Sequence, residues 1–367
     1  MKKIFICTGD SSGDMHAAKL MNAIRKQLPD IQFVGIGGTE MTKAGLNSII
    51  PISEISVVGF WEVAKKYPLF RKLMNDCISI MHGGDIDAFV PVDYPGFNLR
   101  LAAIAKEAQI PVIYYIAPQL WAWGANRAEK LARSVDKLLV VFPFEEDYFK
   151  NYGINTKFVG HPLLDIPEYT SNFNNYSDRE DKIVLLAGSR NQEIHKHLPL
   201  LINTAEFIHN KLPNFELVFA KSKSINQNLF NSALQTHKYI SISDDAKTLM
   251  LNSKAGIIKT GTSNLEAALS GLPFAMYYIT SFISFQMGKR LINLDYISLV
   301  NILAKKFVVK EFIQSEAKPE LIGQNIINIV QSPDLYSQLQ SEFLTIKNEL
   351  GGGGAAQNAA AEILNSI

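Results

Sequence analysis

A chain of 367 residues, 47% of them hydrophobic and 19% charged, is long enough for two folded domains with separate cores. The chain has 36 Lys and Arg residues and 35 Asp and Glu residues, which gives a net charge of +1. This argues against a general nucleic-acid binder, because such proteins usually carry an excess of basic residues. The two cysteines, Cys7 and Cys77, have no metal-ligand spacing, so neither a disulfide framework nor a metal site is expected.

The start of the chain and its apolar runs predict a cytoplasmic protein. Lys2 and Lys3 are followed by only four apolar residues before Thr8, which is too few for the apolar region of a secretory signal. No run reaches about 18 apolar residues, the length that a membrane-spanning helix needs.

Short apolar runs alternate with longer amphipathic stretches along the whole chain, a pattern typical of βα units on parallel sheets. Strands are predicted near residues 4–8, 32–36, 88–92, 112–116, 137–141, 183–187, 215–220, 239–242, 255–258 and 274–277. Helices are predicted near residues 13–28, 97–108, 124–134, 144–151, 191–211, 245–252, 262–270 and 283–292. The alternation predicts an α/β fold with two Rossmann-like domains.

The composition also predicts where the domains divide. Residues 166–181 are rich in Asn, Ser, Tyr and acids and read as a linker between domains at residues 1–165 and 182–345. Residues 346–367 form a tail in which Gly351–Gly354 is a flexible joint and Ala355–Leu364 a helix, expected to return to the first domain. Two such domains are expected to face a cleft, with ligands at the carboxyl ends of the strands.

The loop of residues 9–14 joins the first predicted strand to the first helix. It lacks the G-x-G-x-x-G spacing, and its two acids would repel a pyrophosphate. Acids and hydroxyls suit the neutral hydroxyl groups of a sugar, which makes this loop a candidate acceptor or sugar site; its members are Asp10, Ser12, Gly13 and Asp14. Helix capping by Ser12 or Asp14 explains the same residues equally well.

Residues 57–74 mix large apolar and aromatic side chains with basic ones. Such a surface is typical of a segment that lies in a bilayer interface and prefers anionic lipid. The candidate membrane-facing residues are Phe60, Trp61, Lys65, Lys66 and Phe70. An ordinary core-facing helix is the alternative.

Two further loops follow predicted strands of the first half. Asp93 comes directly after the strand of residues 88–92, where a carboxylate could accept a proton from an attacking hydroxyl. Because Pro95 and Gly96 follow, a simple turn is the alternative. Trp121 and Trp123 follow the next strand and are candidates to stack on a sugar or base, or to pack as a corner of the fold.

In the second half, one local pattern occurs twice: an apolar run, a loop of glycine and hydroxyl residues, then a helix. Glycine permits close approach of an anion to the backbone, and the first N–H groups of a helix are donors with a positive dipole end. The first copy adds Arg190, which can grip a phosphate, and the second adds Glu266, which suits a ribose. Together they predict a site for a nucleotide diphosphate, formed by Gly188, Ser189, Arg190, Glu193, Gly261, Thr262, Ser263 and Glu266.

Several segments together resemble a known family. They are residues 9–14 (Gly-Asp-Ser-Ser-Gly-Asp), Asp93, residues 117–123 (Ala-Pro-Gln-Leu-Trp-Ala-Trp), residues 188–194 (Gly-Ser-Arg-Asn-Gln-Glu-Ile), residues 260–266 (Thr-Gly-Thr-Ser-Asn-Leu-Glu), residues 289–291 and residues 296–301. The chain resembles the lipid-A-disaccharide synthase family of two-domain GT-B glycosyltransferases over nearly its whole length. It departs from the family pattern mainly on the acceptor side, with Asp10 for Glu, Gly96 for Asp, Ala117 for Ser and Val300 for Pro.

The resemblance implies an inverting hexosyltransferase of lipid A and lipopolysaccharide biosynthesis that needs no cofactor. Its UDP-2,3-diacylglucosamine would donate the sugar to 2,3-diacylglucosamine 1-phosphate, giving the lipid A disaccharide phosphate and UDP. On this basis Asp93 is the base, Arg190 and the backbone of residues 261–263 hold the diphosphate, Glu266 binds the ribose, and Asn301 lies at the donor end.

The resemblance also implies peripheral contact with the inner face of the inner membrane, and a homodimer made by exchange of the C-terminal region. Three alternative functions remain open. They are another GT-B UDP-N-acetylglucosamine transferase, a UDP-sugar epimerase, and a non-catalytic UDP-sugar binder.

Overall fold

A computed structural model of the chain describes residues 1–55, 67–122, 126–222, 225–281, 285–286 and 294–367. The chain divides into two compact units. The N-terminal unit comprises Met1–Ile166 and Leu350–Ile367, and the C-terminal unit comprises Pro167–Glu349. Residues 167–181, expected to link two domains, belong to the C-terminal unit.

The N-terminal unit is built on parallel strands whose interior positions are almost entirely apolar and buried. The strands are β1 (Lys3–Cys7), β2 (Gln32–Gly37), β3 (Leu46–Pro51), β4 (Ala88–Pro91), β5 (Ile113–Tyr115), β6 (Lys137–Val140) and β7 (Thr156–Phe158). They are ordered β3-β2-β1-β4 and β5-β6-β7, and parallel bridges Phe89↔Val112 and Val92↔Tyr115 connect β4 to β5. The carboxyl ends of β1, β4 and β5 therefore lie side by side.

Helices accompany this sheet, and the buried apolar residues of those within residues 67–150 form one core with the strands. They are α1 (Ser11–Gln27), α2 (Thr39–Lys43), α3 (Ile52–Ile55), α4 (Tyr67–His82), α5 (Pro95–Glu107), α6 (Asn126–Ser134) and α7 (Pro143–Lys150). Among the residues described, no helix of either unit is both long and apolar enough to cross a bilayer.

The C-terminal unit has a second parallel sheet in the order β10-β9-β8-β11-β12-β13. Its strands are β8 (Glu180–Leu186), β9 (Glu216–Ala220), β10 (Ile240–Ser243), β11 (Ser253–Lys259), β12 (Phe274–Tyr278) and β13 (Glu311–Ile313). Its helices are α8 (Pro167–Thr170), α9 (Asn191–Lys211), α10 (Asn231–Thr236), α11 (Ala246–Asn252), α12 (Thr262–Leu269), α13 (Leu299–Ala304), α14 (Pro319–Gln331) and α15 (Pro333–Glu349).

The last helix, α16 (Ala355–Leu364), belongs to the N-terminal unit and packs against α1. The Asp165 carboxylate accepts hydrogen bonds from the first two amides of α16, Ala355 at 2.9 Å and Ala356 at 3.1 Å. An acid at this position satisfies amides that the helix itself leaves unpaired. Near the other end of the helix, Lys137 pairs with Glu362 at 2.6 Å.

A buried arginine fastens the start of β8 to two helix ends. The Arg179 side chain is buried, and its guanidinium donates to the carbonyls of Met250 and Ser253 at 3.1 and 2.9 Å, and of Ser270 and Gly271 at 2.6 and 3.0 Å. These carbonyls lie at the C-terminal ends of α11 and α12, where the helix dipole favours a cation. The segment predicted as a linker thus contains a side chain that holds the C-terminal unit together.

Candidate functional site

In the N-terminal unit, the candidate base Asp93 lies two residues after the end of β4, next to the carboxyl end of β1. Its backbone is held in the left-handed region, with φ of 47°, and Tyr94 follows with φ of 54°. Two consecutive non-glycine residues in this region cost about 1 kcal/mol or more each, and such strain is concentrated at functional sites. The alternative that Asp93 forms a turn also agrees with the structure, because Asp93 begins a strained bend that leads into α5.

Buried side chains fix this bend. The Asp93 carbonyl accepts hydrogen bonds from Nδ2 of Asn98 and from the hydroxyl of Tyr114, both at 2.7 Å, and its amide donates to the carbonyl of Tyr115 at 3.1 Å. Asn98 also donates to the carbonyl of Cys7 at the end of β1. The backbone of Asp93 is thus fastened to β1 and β5 by bonds that do not involve its carboxylate.

The surroundings of Asp93 favour its protonated form. Burial, and secondly the negative charge of Asp10, raise its pKa to about 6, against the smaller opposing effect of a hydrogen bond from the Tyr94 amide. A carboxylate with a pKa close to neutral pH is well suited to accept a proton from a substrate hydroxyl.

The loop of residues 9–14 is used partly by the protein itself. Asp10, rather than Ser12 or Asp14, caps α1, because its Oδ1 accepts from the Gly13 amide at 2.7 Å. The buried Asp14 carboxylate instead accepts from the amides of Gly38, Glu40 and Met41 at 2.8–3.1 Å and so caps α2. Ser12 is exposed, with its hydroxyl 3.4 Å from Nε2 of His16. Asp10 and Ser12 remain candidates for sugar contact, whereas Asp14 has a structural role.

Trp121 packs as a corner of the fold, which is the second of the two roles considered for it. Its indole N–H donates to Oε1 of the buried Glu145 at 2.9 Å, and its ring meets Phe144 edge to face at 5.0 Å between centroids. Burial raises the pKa of Glu145 to about 7, although the hydrogen bonds from Trp121 and two backbone amides act in the opposite direction. Trp123 lies outside the described residues.

Of the candidate membrane-facing residues, only Phe70 is described. It lies on α4, is half-buried, and packs against the core of the N-terminal unit, in agreement with the core-facing alternative. Phe60, Trp61, Lys65 and Lys66 lie outside the described residues.

In the C-terminal unit, the first glycine loop joins β8 to α9. Gly188 has φ of 125°, a conformation that side-chain-bearing residues rarely adopt, and an added Cβ there would lie 2.4 Å from Oε2 of Glu193. Oε2 of Glu193 accepts from the Ser189 amide at 3.0 Å, and its Oε1 pairs with Nη1 of Arg190 at 3.2 Å. Arg190 is exposed and available to a ligand, whereas Glu193 already binds groups of the protein.

The second glycine loop joins β11 to α12. Gly261 has φ of 139° and precedes the first residues of α12, and Thr262 is exposed beside it. One turn later, Glu266 is half-buried; burial raises its pKa, while a hydrogen bond from Ser263 opposes the shift. The loop thus leads into the short helix that carries the acid, an arrangement compatible with a grip on phosphate and ribose.

Asn301 does not present its amide to a ligand. It is fully buried on α13, where Nδ2 donates to the carbonyl of Val309 and to Glu311, and Oδ1 accepts from the amides of Val308 and Val309, all at 2.8–2.9 Å. These four bonds use the whole hydrogen-bonding capacity of the amide. The expectation that Asn301 contacts the donor is replaced by a structural role, which is to fasten the connection from α13 to β13.

A family model described as lipid-A-disaccharide synthetase matches residues 4–360 of this chain. The chain belongs to the lipid-A-disaccharide synthase family. It is 34% identical to the lipid-A-disaccharide synthase of Persephonella marina, over 98% of each chain. It is also 34% identical to that of Syntrophus aciditrophicus, over 100% of this chain and 98% of the relative.

Solved structures support the fold. The chain is similar to S. aureus MnaA in complex with UDP, with a TM-score of 0.69 and 15% identity over 100% of this chain and 98% of that one. It is also similar to the calicheamicin glycosyltransferase CalG4, with a TM-score of 0.61 and 11% identity over 100% and 98%. The predicted GT-B α/β class with two Rossmann-like domains is confirmed, and the family match supports none of the three alternative functions.

Within this family framework, two side chains that the sequence analysis did not single out are important to the candidate site. Asn98 is the fully buried residue that fixes the backbone of Asp93. Lys259 is the last residue of β11, and its Nζ lies 2.9 Å from Oε1 of Glu193. A lysine at the carboxyl end of a buried strand, directly before a glycine loop, is the sequence signal that would have identified it.

Proposed function

We propose that this chain is a lipid-A-disaccharide synthase that transfers 2,3-diacylglucosamine from UDP to the 6-hydroxyl of 2,3-diacylglucosamine 1-phosphate, with inversion at the anomeric carbon. The family membership supports the transfer and its substrates. The site residues are proposed from their chemistry, with the base in the N-terminal unit and the donor-binding groups in the C-terminal unit.

The reaction needs three contributions. The Asp93 carboxylate takes the proton of the acceptor hydroxyl as its oxygen bonds to the anomeric carbon. The bond from that carbon to the diphosphate oxygen breaks, and its electron pair stays on the oxygen. Arg190 and the amides of residues 261–263 receive the resulting negative charge, and Glu266 binds the ribose hydroxyls.

The environment of Asp93 is the strongest support for its assignment as the base. Asp93 has a raised pKa and a strained backbone that buried partners hold in place, at the carboxyl end of a strand. Incubation of the purified protein with both diacylglucosamine substrates, followed by mass spectrometry, tests the function. Formation of the disaccharide phosphate and UDP supports it, whereas epimerised donor, or no product with bound UDP, would identify one of the alternatives.

The pH dependence of turnover tests the role of Asp93. Because the base acts only when ionised, kcat/KM is expected to fall as the pH drops through about 6. Asp10→Asn removes the neighbouring negative charge, so the acidic limb of the pH profile is expected to move to lower pH. It should not reach the pH at which an exposed Asp titrates, because the burial of Asp93 remains. Asn retains the cap of α1. An unchanged limb in the Asp10→Asn variant would disprove the coupling of the two acids.

We also propose that residues 57–66 bind the surface of an anionic bilayer, since both substrates bear acyl chains. Phe60→Ser combined with Trp61→Ser is expected to reduce sedimentation with vesicles containing phosphatidylglycerol. The matched control is Leu321→Ser with Leu344→Ser, which removes two apolar side chains that are 49% and 47% exposed on α14 and α15. Equal losses in the two double variants would contradict a specific membrane surface.

A further inference from the structure

Lys259 lies between the two glycine loops, because it ends β11 two residues before Gly261 and contacts the helix that follows Gly188. The ion pair that it forms with Glu193 is mostly screened from solvent, with 21% of the lysine side chain and 18% of the glutamate side chain exposed. The ammonium group of Lys259 is therefore held in a defined position beside Glu193.

A single carboxylate accepts hydrogen bonds from the first glycine loop and from the strand end that precedes the second. Glu193 binds Lys259 and Arg190 through Oε1 and the Ser189 amide through Oε2. Burial alone would raise the pKa of Glu193, but hydrogen bonding from Lys259 and the surrounding positive charge hold the pKa below its ordinary value. An arginine, a lysine and an amide at a helix start are the donors that phosphate groups bind in proteins. The Glu193 carboxylate thus occupies a position that also suits a phosphate group.

The group has more positive charge than its own carboxylate neutralises. In the parts of the chain that the structure describes, Glu193 is the only acidic side chain within ion-pair distance of Arg190 or Lys259. The start of α9 and the start of α12 add partial positive charge. Two cationic side chains share one carboxylate, so one positive charge of the group is not neutralised.

The space around the two glycines differs. An added Cβ at Gly188 would collide with the Glu193 carboxylate, whereas an added Cβ at Gly261 would meet no atom of the described residues within 4 Å. The carboxylate therefore occupies the space beside the first loop, while no described residue fills the space beside Gly261, where a phosphate could bind.

We propose that Lys259 is a second cationic residue of the donor diphosphate site, and that Glu193 takes the place of the diphosphate until the donor binds. The inference rests on the proposed function. The diphosphate gains a negative charge when its bond to the anomeric carbon breaks. Lys259 is therefore expected to assist the departure of UDP as well as its binding.

Titration calorimetry with UDP tests this assignment. Lys259→Met is expected to weaken UDP binding about tenfold or more, because a charged hydrogen bond is lost. Lys259→Arg retains the charge and is expected to restore most of the affinity. The matched control is Lys254→Met: Lys254 is on the same strand, 13% exposed, and paired with Asp181 at 2.5 Å, but near the opposite end of the strand. Its loss is expected to leave the UDP affinity unchanged.

Glu193→Gln tests the second half of the proposal. The variant keeps the size of the side chain but removes the charge that competes with the ligand, so UDP is expected to bind severalfold more tightly. Weaker binding to Glu193→Gln would show that the carboxylate positions the site rather than occupying it. Thermal melting without ligand checks that each variant is folded.

The outcomes separate this inference from the proposed function. If the wild-type protein does not bind UDP, the donor site itself is wrong. If the wild-type protein binds UDP, Arg190→Met weakens binding, and Lys259→Met does not, the role of Lys259 is disproved while the donor site stands.

Discussion

Asp93→Asn is expected to lower kcat by roughly 10²- to 10⁴-fold, the usual contribution of a positioned base. Asn has almost the same shape and tolerates the left-handed backbone that Asp93 adopts, so the bend into α5 should persist. The hydrogen bonds from Asn98 and Tyr114 go to the backbone carbonyl and are unaffected. The affinity for UDP, measured by calorimetry, is therefore expected to equal that of the wild-type protein.

Asp85→Asn is the matched control for this substitution. Asp85 precedes the same strand at its other end, its side chain is 79% exposed, and it lies 3.7 Å from Lys3. Its replacement removes the same charge from the N-terminal unit, yet turnover should change little. Wild-type turnover in Asp93→Asn, with unchanged UDP binding, would rule out Asp93 as the base.

Arg179→Met is expected to destabilise the C-terminal unit by about 3 kcal/mol or more, because buried carbonyls at two helix ends lose their donor. For a unit of this size, such a loss lowers the melting temperature by roughly 6–12 °C. Arg179→Lys retains the charge but not the planar fork that reaches several carbonyls at once, so it should recover only part of the stability. Differential scanning calorimetry measures both variants.

Arg100→Met provides the comparison, since Arg100 is exposed on α5. Its melting temperature is expected to stay within about 2 °C of the wild-type value, because surface substitutions seldom exceed about 0.5 kcal/mol. A similar small shift in Arg179→Met would mean that the carbonyls find other partners, and that the buried guanidinium contributes little to the fold.

The strands with long apolar runs were predictable, and three of the short edge strands were not. β8 and β11 lie inside the sheet and are apolar over most of their length. β3, β7 and β13 lie at the edges of the sheets and include Asn47, Lys157 and Glu311. An edge strand is exposed on one side, so polar residues are tolerated and the apolar pattern that predicts strands is weak.

The candidate site shows the same division. Gly188, Gly261 and Asp93 each lie two residues after a largely apolar strand, and this local pattern is visible in the sequence. Parallel strands place such loops at one edge of a sheet. The roles of Asp14 and Asn301 were not predictable, because each binds backbone amides that only the folded chain brings to it. A side chain whose hydrogen bonds are already used has none left for a ligand.

The sequence alone determined the α/β class, the family and the loops available for a nucleotide, since each depends on residues that are neighbours in the chain. Tertiary structure alone decided which charged groups act together. Glu193 and Lys259 are 66 residues apart, and no local pattern connects them. The sheet order places β8 beside β11, so one carboxylate contacts both the loop after β8 and the end of β11. The pairing of charges depends on distance in space, and the fold sets that distance.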